Sequence, residues 1–564
     1  MDEKRAGGYI SKLVFNNDCE LDISCNDIVV FVGPNNVGKS RALRDINTIS
    51  AQPFPGIIIK DLEIKKYGGS VSNQLDEIAT SSRSGSANIY DTVNGRFSVY
   101  STTDNDFFNN PYFGSFNKLF ISHIETAKRL VGCGPADAIA RNAAKTHPIH
   151  YAAFDSNYRK DLSAKFKKAF DYGLIPNTQF GGKIPLCMGS PVKLDDEYEY
   201  EDEQDRQEIY ANILAQYPQV QDQGDGIKSF VGILLQLMLD YICVYLIDEP
   251  ESFLHPPQAR IMGEIIGETL SNHQQAFIST HSEDIIKGLL DVAPERLKII
   301  RITRENNTNS FAVLDNDNLR ELWVDPLLRY SNIMSAIFHK NVVLCESDSD
   351  CKMYSLVDEA LKHAQNRYSE TLFVHCGGKQ RMAKIVSALK SLELDVKLIP
   401  DLDVLNDEAI FKAITDSFAI DWNLIMDNYR IICSDIVNRR KDINRESAKV
   451  DIDRILCSSS SEYLTSSEIE RIRAVIKTES GWKAIKEHGV SGIPKGNATK
   501  AFEELDTTLK NHGIFLVPVG ELENFVRTVG GHGPVWVNKV LEQYPDLNNS
   551  VYDDIKEFIR NANL

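Results

Sequence analysis

The strongest constraint on this 564-residue chain is five consecutive apolar residues, Ile28-Val29-Val30-Phe31-Val32, running straight into Gly33-Pro34-Asn35-Asn36-Val37-Gly38-Lys39-Ser40. A continuous apolar run of this length reads as a strand buried on both faces, which is the habit of parallel sheets covered by helices. The octet that follows fits GxxxxGK[ST], and a helical stretch from Lys39 to about Ile49 follows it. Strand, Gly-rich loop and helix in that order put backbone N–H groups around phosphates. Lys39 then reaches the β- and γ-phosphates, and Ser40 coordinates Mg²⁺. Gly33, Asn35, Asn36, Gly38, Lys39 and Ser40 are therefore the expected nucleotide-binding residues, and the fold class is α/β.

A second apolar strand, Val244-Tyr245-Leu246-Ile247, ends in Asp248-Glu249-Pro250. Asp248 at its tip is placed to order Mg²⁺, and Glu249 to orient or activate water. Ala276-Phe277-Ile278-Ser279-Thr280-His281 repeats the pattern, with His281 beyond a strand end and in reach of a γ-phosphate. Between the Gly-rich loop and Asp248, residues 50–120 read as strands joined by polar loops. Residues 125–215 read as helices carrying the acidic tract Asp195–Glu208, which contributes −8 to a net charge of −18. That tract reads as a solvated face. The overall acidity argues against a generally basic nucleic-acid coat. Residues 297–315 read as a hairpin, and a boundary is expected near 325–340.

Beyond it a βαβαβ alternation begins: strand 341–345, helix 350–365, strand 371–375, helix 379–392, strand 395–399. This order predicts a second parallel sheet. Residues 404–505 read as a helical insertion, and a strand at 514–519 returns to the sheet. Carboxylates follow the apolar runs: Glu346 and Asp350 after the first, Asp401 and Asp403 after the third, Glu523 after the last. In an extended chain Asp401 and Asp403 point the same way, and acids at the carboxyl edge of parallel strands converge where α/β sheets place their ligands. Oxygen donors of this kind suit Mg²⁺ or Mn²⁺, and two such ions stabilise both oxygens of a phosphodiester under attack.

The ten cysteines form no CxxC pair and no zinc spacing, which fits a reducing cytoplasm. Ile227–Ile247 has the length of a membrane span but carries Lys228, Gln236 and Asp240, so a buried helix and strand explain it better, and no membrane association is expected. Two basic clusters, Arg159-Lys160 with Lys165, Lys167 and Lys168, and Arg439-Arg440-Lys441, are candidate DNA contacts or solvated faces.

The first half resembles the ABC-type ATPases, and the stretch Asp248–Pro256 (DEPESFLHP) resembles the OLD family within them. The second half, over 338–403 and 510–545, resembles a Toprim domain. The resemblance implies an ABC-type ATPase domain at 1–330, with an inserted segment at about 125–215, and a Toprim-like nuclease domain at 338–564, with its insertion at about 404–505. It implies ATP and Mg²⁺ or Mn²⁺ as cofactors. In the metal cage it maps Glu346, Asp350, Asp401, Asp403 and Glu523, with Ser40 and Asp248 on the nucleotide's Mg²⁺. Glu249 and His281 fall at ATP hydrolysis, and Lys539 is the assisting cation. Two ATPase domains would sandwich ATP head to tail, giving a homodimer or larger even-numbered assembly. Gly224-Asp225-Gly226-Ile227-Lys228-Ser229 stands where the family's signature loop belongs but departs from its usual sequence. The implied activity is an ATP-regulated, metal-dependent DNA endonuclease with a bacterial antiphage role, as in the Gabija nuclease subunit or a retron-associated effector. A helicase or a reverse transcriptase with its msDNA would then be encoded nearby. The alternatives are a DNA-binding ATPase with a non-cleaving Toprim scaffold, or a repair and recombination nuclease.

Overall fold

The computed structural model describes residues 5–192, 200–305, 308–314, 332–391, 393–438, 445–459, 463–476 and 481–562. The chain divides into two compact units, Met1–Phe338 and His339–Leu564. The basic cluster at 439–441 and residues 325–331 of the expected boundary region lie outside the described residues.

The first unit is built on a six-stranded sheet. Its spatial order is Thr308–Leu314, Leu297–Glu305, Ile28–Val32, Gln275–Ser279, Val244–Asp248 and Ile121–Ile124. All neighbours are parallel except the hairpin formed by the first two. Ile28–Val32 is central and buried along its whole length, as its unbroken apolar run requires. Register aligns the carboxyl ends: Asp248 lies opposite Ser279, Ser279 opposite Phe31, and Ile247 opposite Ile124. Three antiparallel strands, Glu20–Asp22, Ala6–Phe15 and Ile59–Gly68, form a second sheet, and a meander over Ser81–Val99 a third.

The span-length apolar segment resolves into the helix Asp225–Leu237 and the strand Val244–Asp248. Among the described residues no helix is long and apolar enough to cross a membrane. Part of the acidic tract lies outside the described residues; the rest enters the exposed helix Glu203–Ala215, which Asp202 caps. The first basic cluster rides on the helix Ser156–Phe170. Its cations are largely committed: Lys165 to Asp161, Lys168 to Glu264 and Glu268, and Arg159 to the carbonyls of Ala152 and Ala153.

In the second unit the strands run Thr371–His375, Asn341–Cys345, Asp395–Ile399, all parallel. The helix Asp348–His363 packs on this sheet with Trp536, Tyr552 and Phe558 in one core. Among the described residues of 408–511 the regular elements are all helical. The expected strand at 514–519 is a correction. The chain makes one isolated parallel bridge, Leu398 to Ile514, and Val517 N–H then donates to the Pro400 carbonyl at 3.2 Å. Pro400 has no N–H to extend the ladder, and the chain turns away at Gly520, whose φ is 101°.

Gly33 sits at φ 134°, and a Cβ there would lie 2.1 Å from the Ile302 carbonyl oxygen. Gly33→Ala should therefore destabilise the first unit by about 2–3 kcal/mol and abolish nucleotide binding. Thermal melting and titration with a fluorescent ATP analogue check both effects.

Candidate functional sites

At the carboxyl edge of the six-stranded sheet, Gly38 precedes the helix Lys39–Ala51 at φ 103°. Ser40 stands in that helix's first turn, while Asn35 and Asn36 are exposed on the loop. The Lys39 amine folds back onto the loop and donates to the carbonyls of Gly33 and Pro34, both at 2.8 Å. Burial lowers its pKa to about 8, against the pull of Glu249, Glu251 and Asp248. Triphosphate oxygens are the natural replacement for those carbonyls.

Asp248 accepts a hydrogen bond from the Ser279 hydroxyl of the neighbouring strand. Glu249 leaves the strand at φ 45°, its N–H donating to the Ser279 carbonyl at 2.9 Å and its Oε2 accepting from the Ser252 hydroxyl at 3.1 Å. His281 Nε2 lies 3.7 Å from Glu249 Oε1. Burial, then the Lys39 charge, lowers the His281 pKa, so the imidazole is neutral at pH 7. The structure thus brings Lys39, Asp248, Glu249 and His281 to one edge. It adds Glu251, a buried carboxyl whose Oε1 accepts from the His281 N–H at 2.7 Å and whose pKa burial raises. Its place in DEPES offered no signal beyond another acid in a turn.

In the second unit Glu346 stands just past the strand Asn341–Cys345. Its Oε2 is buried with no hydrogen-bond partner. Burial raises its pKa, as do Asp403 and Asp350, while Lys379 and Lys486 oppose them. Asp350 joins Ser347 in a capping box: Ser347 N–H donates to Asp350 Oδ2 at 2.8 Å, and Asp350 N–H to Ser347 Oγ at 3.3 Å. Burial and Glu523 nonetheless push the Asp350 pKa up. Asp401 is driven well above the carboxylate range, by burial first and then by Asp350, Glu346, Asp403 and Glu521.

Two local geometries differ from expectation. Asp401 and Asp403 do not alternate along an extended strand. Asp403 lies in the short 3₁₀ turn Leu402–Asn406, with Oδ1 3.4 Å from Lys379 Nζ. Glu523 likewise sits in a 3₁₀ turn, Leu522–Val526, rather than after a strand. Its Oε1 accepts from Gly533 N–H at 2.7 Å and lies 2.7 Å from His532 Nδ1. Lys539, on the helix Gly533–Gln543, donates to the Gly530 carbonyl at 3.3 Å. The cations whose charge reaches Glu346 are Lys379 and Lys486. Residues the sequence reading missed are thus Lys379, Lys486, which pairs with Glu521 at 3.1 Å, and His532.

The donor set fits a divalent cation. Carboxylates crowd against one another with few balancing charges, and one buried Glu346 oxygen is orphaned. Ligand atoms of Glu521, Glu523 and His532 lie within 4.8 Å of one another.

Fold and first site together have the arrangement of a P-loop nucleotide-binding domain: a Gly-rich loop between a buried parallel strand and a helix, with acids at the neighbouring strand end. Residues 191–286, from the acidic tract to the strand carrying Ser279 and just beyond, match the family profile "AAA domain, putative AbiEii toxin, Type IV TA system". A second profile, "Receptor L domain", matches 292–357, a stretch that crosses from one compact unit into the other. Among curated proteins the chain resembles the Old nuclease of Escherichia phage P2, at 21% identity over 56% of this chain and 49% of the relative. The chain therefore spans about half the length of the curated relative it matches. Similar solved structures include the SMC head domain from Thermotoga maritima (13% identity, 56% of this chain, 100% of that chain, TM-score 0.29). Another is an Smc head domain with an extended coiled coil, bound to the C-terminal domain of ScpA, from Pyrococcus furiosus (12% identity, 56% and 98%, TM-score 0.31). The resemblance to OLD-family ATPase–nucleases thus rests on a named relative as well as on motifs.

Raised carboxyl pKa values make the folded second unit bind more protons than the unfolded chain, above the ordinary carboxylate range and up to the raised values. Stability therefore falls as pH rises through that window, the reverse of the usual carboxylate trend. In EDTA, melting of the second unit should shift upward between pH 7 and pH 5. Asp401→Asn should raise the midpoint at pH 7 and flatten the slope, each kcal/mol appearing as about 2–4 °C. A steeper slope in Asp401→Asn would contradict this.

Proposed function

We propose that the protein is an ATP-controlled, divalent-metal-dependent DNA endonuclease of the OLD type, with a Toprim-like second unit and a role in antiphage defence. The observation that carries the proposal is the mutual electrostatic crowding of Glu346, Asp350, Asp401 and Asp403, with Glu521 and Glu523, at one partly buried locus beyond the carboxyl ends of the second unit's strands. The name of the phage P2 relative supports it.

In this reading Glu346, Asp350, Asp401, Asp403 and Glu523 hold Mg²⁺ or Mn²⁺. The ions supply Lewis acidity and a water of lowered pKa. The chain's own work is to hold those oxygens in place. Strand ends position Glu346 and Asp401, the capping box fixes Asp350, and Gly533 N–H with His532 fixes Glu523. Lys379 and Lys486 supply positive charge beside a scissile phosphate. In the first unit, the loop amides and Lys39 bind the triphosphate, while Ser40 and Asp248 hold its Mg²⁺. Glu249 orients the attacking water, and neutral His281 senses the γ-phosphate. Two copies closing over ATP would couple nucleotide state to the second unit.

Supercoiled plasmid should be cut in Mg²⁺ or Mn²⁺ and spared in EDTA, and Glu346→Ala and Asp401→Ala should reduce cutting to background. A wild type that leaves DNA intact with and without ATP, or variants that cut equally well, would overturn the nuclease. Glu249→Gln should lower the kcat of ATP hydrolysis by about 100-fold or more while ATP still binds, as expected when a water-orienting group is lost. Steady-state hydrolysis and equilibrium nucleotide binding separate the two effects.

A further inference from the structure

Arg129 is 2% exposed, on the short helix Thr126–Gly132 that follows the strand Ile121–Ile124. Its Nη1 donates to the Asp248 carbonyl and its Nη2 to the Glu249 carbonyl, both at 2.8 Å. These consecutive carbonyls lie where the chain leaves the sheet, and Glu249 turns there through φ 45°, a conformation costly for a residue with a Cβ. A buried guanidinium is itself expensive unless its donors are satisfied; these two bonds satisfy Nη1 and Nη2, while Nε is buried without a partner. Burial lowers the Arg129 pKa to about 10, so it keeps its charge at pH 7. Ser279 holds the same pair by other atoms: its hydroxyl donates to Asp248 Oδ1 and its carbonyl accepts from the Glu249 N–H at 2.9 Å.

The residues just beyond this turn are held by a second helix. A Cβ on Gly226 would lie 2.7 Å from the Phe253 carbonyl, and the Ser229 hydroxyl donates to the Ser252 carbonyl at 3.2 Å. Both Gly226 and Ser229 belong to the helix Asp225–Leu237. Further along that helix, Gly232 comes so close that a Cβ would lie 2.2 Å from the Arg129 carbonyl. Arg129 is therefore seated by its backbone on one helix while its side chain holds the turn that the same helix touches.

We infer that Arg129 is a positioning residue for ATP hydrolysis: its fork fixes the peptide planes of Asp248 and Glu249, and with them the carboxylates aimed at Mg²⁺ and water. It also links those carboxylates mechanically to the helix Asp225–Leu237. This rests on the ATP-hydrolysis reading above. A planar fork with two parallel donors matches two adjacent carbonyls, whereas a lysine ammonium is a single point donor on a flexible stem. Loss of the fork lets the turn tilt, and small misplacements at a reacting centre are costly in rate while leaving phosphate binding by the Gly-rich loop in place.

The test is steady-state hydrolysis and fluorescent-ATP binding by the full chain carrying Arg129→Lys or Arg129→Gln, with thermal melting alongside. The expected result is a kcat lowered by about 10- to 100-fold, with nucleotide affinity within about threefold of wild type. Gly232→Ala, which pushes on the Arg129 backbone without touching the site, should lower kcat in the same direction. An Arg129→Lys kcat within about twofold of an active wild type would sink the inference alone. So would kcat, affinity and melting point collapsing together in both Arg129 variants, which is the mark of a merely structural role. A wild type that binds but never hydrolyses ATP would sink the ATPase reading and this inference with it.

Discussion

Parallel pairing sets the carboxyl ends of neighbouring strands side by side, and the chemistry of both units hangs from that alignment. In the first unit, register places Asp248 beside Ser279 and Ser279 beside Phe31, so the residues just past each strand share one edge. In the second, Cys345 pairs with His375 on one side and Ile399 on the other, leaving Glu346 and Asp401 to emerge together. Without this registry the acids would be scattered turn residues. With it they become two shared edges, one beside the Gly-rich loop and one a cluster of carboxylates.

The two edges settle their electrostatics differently. The first mixes signs: Lys39 lies among Asp248, Glu249 and Glu251, so its buried amine is partly compensated. The second is nearly one-signed, and Glu346, Asp350 and Asp401 all have their charged forms disfavoured. A chain that keeps such a cluster in its folded state carries a standing cost, which Lys379 and Lys486 offset only in part, since the Glu346 pKa stays raised against their charge.

Much of this was legible in the sequence because its signals are local. The apolar runs gave the parallel strands, the Gly-rich octet gave the loop, and acids after strands gave most of the carboxylate cluster. What was hidden depends on tertiary approach. The return strand at 514–519 failed because Pro400 cannot extend a ladder, a matter of which residue faces which. The DxD pair was read as extended, but the chain curls into a 3₁₀ turn immediately after Asp401. Lys379, Lys486 and His532 come from separate stretches and are ordinary polar residues until the fold gathers them. Arg129 looks in sequence like one more helical cation, and only its burial and its two carbonyl partners set it apart.

The capping box at the start of the helix Asp348–His363 has a consequence for how this site can change. Asp350 both accepts the N–H of the cap residue Ser347 and belongs to the carboxylate cluster, and Ser347, its partner, directly follows Glu346. Glu346 and Asp350 are therefore welded into one short rigid piece. Their spacing is inherited as a unit, because lengthening either side chain or shifting the helix start breaks the box. A change in the spacing of the acidic cluster must instead run through Asp403, Glu521 and Glu523, which sit on two other turns and are tied to Lys379, to Lys486 and to the Gly533–His532 pair.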